Sequence, residues 1–213
     1  MCEICRKVLT RFTLSLLLNK FCDYNIIEID EGNNWGESWL RLFLPKRYVR
    51  SIFELKPDWF KQEGIKGIVI DLDNTLIPWD VEEVPDEVKA WLSSLTEQGL
   101  KVAIISNNSR ARVSHFAKPI NIPYIHRAKK PFNFGFKRAA KMMGTSPGEM
   151  AVIGDQLVTD VFGGNYFGAY TILVRPLVDS DAPATKINRL IESYIKRHLY
   201  RTGKWSRSVI DES

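Results

Sequence analysis

Apolar positions change period several times along the chain, and each change marks an element. GIVID, at Gly67–Asp71, is an unbroken β-branched run, the form of a strand covered on both faces. PDEVKAWLSSLTEQ returns to helical spacing, opened by Pro85 and early acids and stopped by Gly99. KVAIIS, AVIGD and YTILV are three further strand runs, and PYIHR is a shorter one. SRARVSHFAKPI reads as a helix with Ser109 as N-cap, FNFGFKRAAKMM as one closed by Gly144, and ATKINRLIESYIKRHLY as a terminal helix. TDVFGGNYFG reads as helical in spite of its glycines. Upstream, LPKRYVRSIFEL and PDWFKQ carry apolar residues at helical spacing, with Pro45 and Pro57 suited to first turns.

Strands that alternate with helices predict one α/β domain, a Rossmann-like doubly wound and mainly parallel sheet with helices on both faces. The pattern starts near residue 40. The chain therefore divides into an N-terminal extension, residues 1–39, and an α/β domain, residues 40–213, with helices at its start and a basic helix at its end. The 213 residues suit one domain of ordinary size and hold no internal repeat.

Charge adds a direction. Lys and Arg number 30 against 25 Asp and Glu, a net charge of +5 that favours anionic partners. Arg127 to Lys141 holds six basic residues and no acid, and Lys186 to Arg207 is mostly basic, whereas Asp80 to Glu87 is acidic. Cys2, Cys5 and Cys22 are the 3 cysteines. One C-x-x-C pair without a second pair or nearby His lacks the four ligands of a structural zinc site, and an odd count is no disulfide framework. No apolar segment reaches the ~20 residues that cross a bilayer. CRKVLTRFTLSLLLNKF is a basic amphipathic stretch that either lies on a membrane surface or is a dispensable extension. His115, His126 and His198 have no metal-ligand spacing, and Trp35, Trp39, Trp59, Trp91 and Trp205 read as packing or interface residues.

The chemistry gathers at the strand ends. In open α/β sheets ligands bind outside the carboxyl edge, near the point where strand order reverses. GIVID ends in Asp71, with Asp73 two residues on; KVAIIS ends in Ser106, followed by Asn107 and Asn108; AVIGD ends in Asp155, with Asp160 about a turn later; Lys129 and Lys130 follow PYIHR. Any one of these is explained as a turn residue or a cap. Their joint arrival at one edge is not. Several carboxylates together repel unless a cation lies among them, and hard oxygen ligands suit magnesium. Phosphoryl transfer follows: Asp71 as nucleophile, Asp73 as general acid and base, and Ser106, Asn107 and Lys130 as donors to phosphate oxygens.

These residues resemble the motifs of the haloacid dehalogenase (HAD) phosphatases. Asp71-Leu72-Asp73-Asn74-Thr75 is similar to the first motif, DxDxT, and Ser106, Lys130 and Gly154-Asp155 fall in order where the second, third and fourth lie. LPKRYVRSIFEL, GIVIDLDNTLIPWD, SNNS, KKP and GDQLVTDVFGGN together resemble the YqeG-type, capless subgroup, over about Leu42 to Pro176. The resemblance implies magnesium held by Asp71, Asp155 and the carbonyl of Asp73, with Thr75 beside Ser106, Asn107 and Lys130 at the phosphate. Asp160 is left between a supporting role and a helix cap. Lys130, with Pro131 after it, matches the third motif better than Lys129.

The intervals between motifs leave no room for a cap beyond a small flap at Leu76 to Asp80, so the site is expected to be open. An open site suits a phosphate displayed on something large. Mitochondrial proteins similar to this subgroup imply phosphatidylglycerophosphate as substrate, with a cytoplasmic chain in peripheral contact with an anionic inner-membrane surface through its basic faces and an exposed Trp79. The alternatives are a nucleotide, sugar, polynucleotide or protein phosphate, and an RNA- or ribosome-binding module with weak hydrolysis. Oligomeric state is not legible.

Overall fold

A computed structural model describes residues 39–178 and 186–201, and residues 1–38 of the extension, the three cysteines, Trp35, Trp205 and the end of the basic tail lie outside the described residues. Six parallel strands form one sheet: β1 (Arg47–Val49), β2 (Gly67–Ile70), β3 (Lys101–Ile105), β4 (Tyr124–Ile125), β5 (Met150–Gly154) and β6 (Tyr170–Val174). Their spatial order is β1-β6-β5-β2-β3-β4, and every pairing is parallel. The chain leaves β2 toward β3 and β4, then crosses back to β5 on the other side. The order therefore reverses at β2.

The four residues of β2 are all buried, as its unbroken apolar run requires. Alternation sends Ile68, Ile70, Val102, Ile104, Ala151 and Ile153 into one apolar cluster, and Val69, Ala103, Ile105 and Val152 into another. Helices α1 (Pro57–Gln62), α2 (Asp86–Glu97) and α3 (Arg110–Ala117) cover the first face through Phe60, Trp91, Leu92, Leu95, Val113 and Phe116. Helix α4 (Asn133–Met143) covers the second through Phe136, Ala139, Ala140 and Met143. The indole of Trp91 also donates to the Leu55 carbonyl at 2.9 Å, which makes it a packing residue. A π-helical turn (Leu157–Phe162), α5 (Gly163–Phe167) and α6 (Lys186–Arg201) complete the domain.

Two expectations fail here. LPKRYVRSIFEL is not a helix: it contains β1 between two 3₁₀ turns, Trp39–Phe43 and Ile52–Glu54. The Asn165 amide captures the carbonyls of Leu42 and Leu44 at 2.8 and 2.9 Å, while Tyr48 and Val49 pair with β6. Those carbonyls are thereby lost to any helical ladder. Within Leu76 to Asp80, Leu76 and Ile77 are buried and Trp79 is half-buried rather than exposed as expected. Asn74, in the left-handed region at φ 63, turns the chain and receives the Trp79 N–H at 3.3 Å.

Candidate active site

Asp71, Ser106 and Asp155 are each the first residue past a strand, so the sheet presents all three at its carboxyl edge. The Asp71 N–H still donates to Ile153 at 2.9 Å and the Ser106 N–H to Ile125 at 2.9 Å, which fixes both main chains before their side chains reach the site.

Two adjoining groups form there. In the first, carboxylate oxygens of Asp71, Asp155 and Asp160 lie within 4.8 Å of one another, all buried. The Lys130 ammonium, 2% exposed, pairs with Asp71 Oδ1 at 2.7 Å and Asp160 Oδ1 at 2.6 Å. The Thr75 hydroxyl faces Asp155 Oδ1 at 3.4 Å. Asp160 combines both roles that the sequence left open. Its Oδ2 accepts the Gln156 N–H at 3.2 Å and the Thr159 hydroxyl at 3.2 Å, as a cap does, while Oδ1 holds Lys130. The π turn carries Asp160 back over the strand end, a common use of such turns. Gly154 makes room for it, because a Cβ there would stand 2.3 Å from Asp160 Cγ.

The second group surrounds Asp73. Its Oδ2 receives the Ser106 hydroxyl at 3.4 Å and the Asn108 amide at 3.3 Å, and its Oδ1 receives Arg112 Nε at 3.2 Å. Arg112 also donates to the carbonyls of Val81 and of Pro78, the latter at 3.1 Å. From the sequence, Asn108 is named beside Ser106 without a role, and Arg112 is not singled out. The carboxylate of Asp73 stands apart from the three clustered acids. Asn107 differs from expectation: its side-chain oxygen accepts the Lys130 N–H at 2.7 Å, and its amide donates to the Lys130 carbonyl at 2.9 Å. It clamps the loop rather than facing the clustered acids. Lys129 is exposed, whereas Lys130 is buried against Asp71 and Asp160. His115 and His198 are exposed, and neither joins the cluster.

Three carboxylates against one ammonium leave an excess of negative charge once all are ionised. Burial, the largest effect, pushes the Asp71 carboxyl up to about 7, outweighing Lys130, whose charge Asp160 shares. Burial alone would lower the Lys130 pKa, but Asp160 and Asp71 outweigh it and drive it up. The donor set, buried, oxygen-only and over-negative, fits a hard divalent cation.

The acid's shift sets a pH dependence. The folded value of about 7 exceeds the ordinary 3.8, so the folded chain keeps this proton longer than the unfolded chain. Stability from this group is complete below the unfolded value and is lost as pH rises through the folded one. In EDTA, wild-type melting temperature is expected to fall between about pH 5 and about pH 8, and Asp71→Asn to flatten that fall. Parallel slopes by scanning calorimetry would place the titration elsewhere.

Comparison with known proteins finds phosphatases. A family model described as mitochondrial PGP phosphatase matches residues 39–179. The chain is 43% identical over 163 residues to "Probable phosphatase YqeG" of Bacillus subtilis (strain 168), covering 76% of this chain and 95% of that one. It is 29% identical over 168 residues to "Phosphatidylglycerophosphate phosphatase 1, chloroplastic/mitochondrial" of Arabidopsis thaliana, covering 73% of this chain but 48% of that protein's length. Among solved structures, 3-deoxy-D-manno-octulosonate 8-phosphate phosphatase from Moraxella catarrhalis, in complex with magnesium, phosphate and KDO, aligns at a TM-score of 0.39 with 25% identity, over 47% of this chain and 64% of that one.

Proposed function

The chain belongs to the mitochondrial PGP phosphatase family of HAD-type phosphomonoester hydrolases, and from that premise we propose that it removes the terminal phosphate of phosphatidylglycerophosphate through an aspartyl-phosphate on Asp71. One observation carries the reading: Asp71 stands at the strand where sheet order reverses, within 4.8 Å of two more buried carboxylates and in contact with a buried ammonium. Asp71, Asp155 and the Asp73 carbonyl would hold magnesium, which when bound supplies charge neutralisation for the transferring phosphoryl group.

The chain's own residues supply the rest. Asp71 Oδ1 is tied to Lys130, and the other oxygen takes no hydrogen bond among the described residues, which leaves it to attack phosphorus. An Oδ–P bond forms as the ester P–O bond breaks, and Asp73 protonates the departing alcohol. Asp73 then takes a proton from water as the water oxygen bonds to phosphorus and the Oδ–P bond breaks, releasing inorganic phosphate. Lys130, Ser106 and Thr75 offer donors to the phosphoryl oxygens. The lack of a large cap among the described residues and the basic run from Arg127 to Lys141 support a phosphate displayed on an anionic lipid surface, and the relatives' names point to the same lipid.

Phosphate release from phosphatidylglycerophosphate in mixed micelles, with magnesium or EDTA and beside an aryl phosphate, tests this. Magnesium-dependent lipid turnover well above aryl turnover is the expected result. Aryl turnover alone would sink the lipid and keep the hydrolase.

Arg112 tests the role given to Asp73. Its guanidinium braces that carboxylate against two carbonyls, a fork that lysine does not reproduce. Arg112→Ala is expected to lower kcat about tenfold to a hundredfold, short of the ~10²–10⁴ of a whole acid/base group, with KM little changed. The loss should be larger for an alkyl phosphate than for a nitrophenyl phosphate, whose leaving group needs no acid. Equal losses would mean that Arg112 only supports the fold.

A further inference from the structure

Strand β4 also delivers a residue to the carboxyl edge. His126 follows Ile125 as Asp71 follows Ile70, and the reaction just described has no use for it. Its Nδ1 is buried and has no hydrogen-bond partner. A buried polar atom left alone is costly, which calls for a physical reason.

His126 lines a pocket of about 230 Å³ together with Arg127, Lys129 and Arg138, and with Phe134 as its apolar wall. No acid lines it. Among the described residues Arg127, Lys129 and Arg138 enter no ion pair, unlike Lys130 beside them. Arg127 and Lys129 are held at φ 46 and φ 57, a region that side-chain-bearing residues rarely occupy. The strain is maintained by Arg127 N–H to the Asn108 carbonyl and Ala128 N–H to the Ser106 carbonyl, both 3.0 Å. The same loop thus turns Lys130 inward to the acids and its neighbours outward to this pocket. Lys129, which lines the pocket, directly precedes Lys130, and consecutive Cα atoms are ~3.8 Å apart, so the pocket adjoins the loop that carries Lys130 to the acids. Phe134, 63% exposed, extends the pocket toward solvent.

Three cations in no ion pair among the described residues, a histidine with an unsatisfied Nδ1 and an exposed ring define a site for an anion on an amphiphile. The volume is below the ~300–1,000 Å³ that encloses a drug-sized ligand, so it takes one group of a larger molecule. We propose that this pocket is a second anion subsite that binds the phosphodiester of a phospholipid while the acid cluster receives the terminal monoester, with Phe134 on the acyl side. The identity of the substrate rests on the hydrolase reading above; the subsite itself does not.

The test therefore has a kinetic arm and a binding arm. Arg138→Glu is expected to raise KM for phosphatidylglycerophosphate, relative to KM for an aryl phosphate, by about tenfold or more. Lys137→Glu makes the same charge change one residue away, outside the pocket, and is expected to move that ratio less than about twofold. Equal shifts in both variants would reduce the pocket to general surface charge and overturn the proposal. In the binding arm, glycerophosphoglycerol, a phosphodiester with no monoester and no acyl chain, is titrated while the His126 ring resonances are followed. Saturable shifts lost in Arg138→Glu support the subsite even if no phosphate ester is turned over, which would sink only the hydrolase reading. No shift in the wild type overturns the subsite even if turnover is normal. Lys129→Asn, which tolerates the left-handed backbone, provides a second variant should Arg138→Glu not fold.

Discussion

Asp71→Asn is expected to lower magnesium-supported phosphate release by roughly 10³-fold or more while the protein stays folded. The amide keeps the shape of the carboxylate but has no anionic oxygen to attack phosphorus. The surroundings tolerate the change. Asp71 is one of three buried acids around a single ammonium, so neutralising it relieves repulsion while Asp160 still pairs with Lys130 at 2.6 Å. Its main chain is fixed independently by the bond to Ile153 at 2.9 Å. Melting temperature in EDTA near neutral pH is accordingly expected to hold or rise as activity disappears. Rapid-quench experiments with labelled substrate should trap phosphoprotein in the wild type and none in the variant. Activity above about a tenth of wild type in Asp71→Asn would reject covalent catalysis at this residue and favour direct attack by water.

The distribution of what could be read in advance follows from the physics of each element. Parallel strands buried on both faces must be apolar throughout, so β2, β3, β5 and β6 stood out, and their exit residues with them. Short elements are different. Leu44 to Leu55 has helix-like spacing, but its fate is set by Asn165, far away in sequence, and by pairing with β6. Asn107 reads as a phosphate donor because it follows Ser106; only the folded loop shows both ends of its amide engaged with the Lys130 main chain. Trp79 looked exposed because the turn at Asn74, which folds Leu76 and Ile77 into the core, depends on tertiary contact. Arg112 left one usable trace: it lies in the first turn of α3, where the helix dipole disfavours a cation. A cation placed there calls for an acidic partner, and Asp73 is that partner at 3.2 Å.

Lys130→Met should show how far the same constellation holds the fold. The methionine fills similar space without charge, so the change isolates the ammonium. That ammonium is 2% exposed and has two carboxylate partners, at 2.7 and 2.6 Å. Breaking a buried pair by deleting one member typically costs about 3–5 kcal/mol, because the remaining charge has lost its counterion. For a chain of this length that corresponds to roughly 10 °C in melting temperature. The loss should shrink when Asp160→Asn is added, since the double variant no longer carries the carboxylate deprived of its partner; a coupling of about 1 kcal/mol or more in that cycle would establish the pair. Added magnesium should recover more stability in Lys130→Met than in the wild type, because three buried acids without an ammonium gain more from a dication. Urea titrations of the four proteins, with magnesium or EDTA, measure all of these differences. Stability within about 0.5 kcal/mol of wild type would mean that solvent reaches the cluster and that Lys130 is held only by the Asn107 clamp on its main chain. Activity of this variant has to be compared at equal folded fraction, since Lys130 here steadies the acids that it also helps to present to the phosphate.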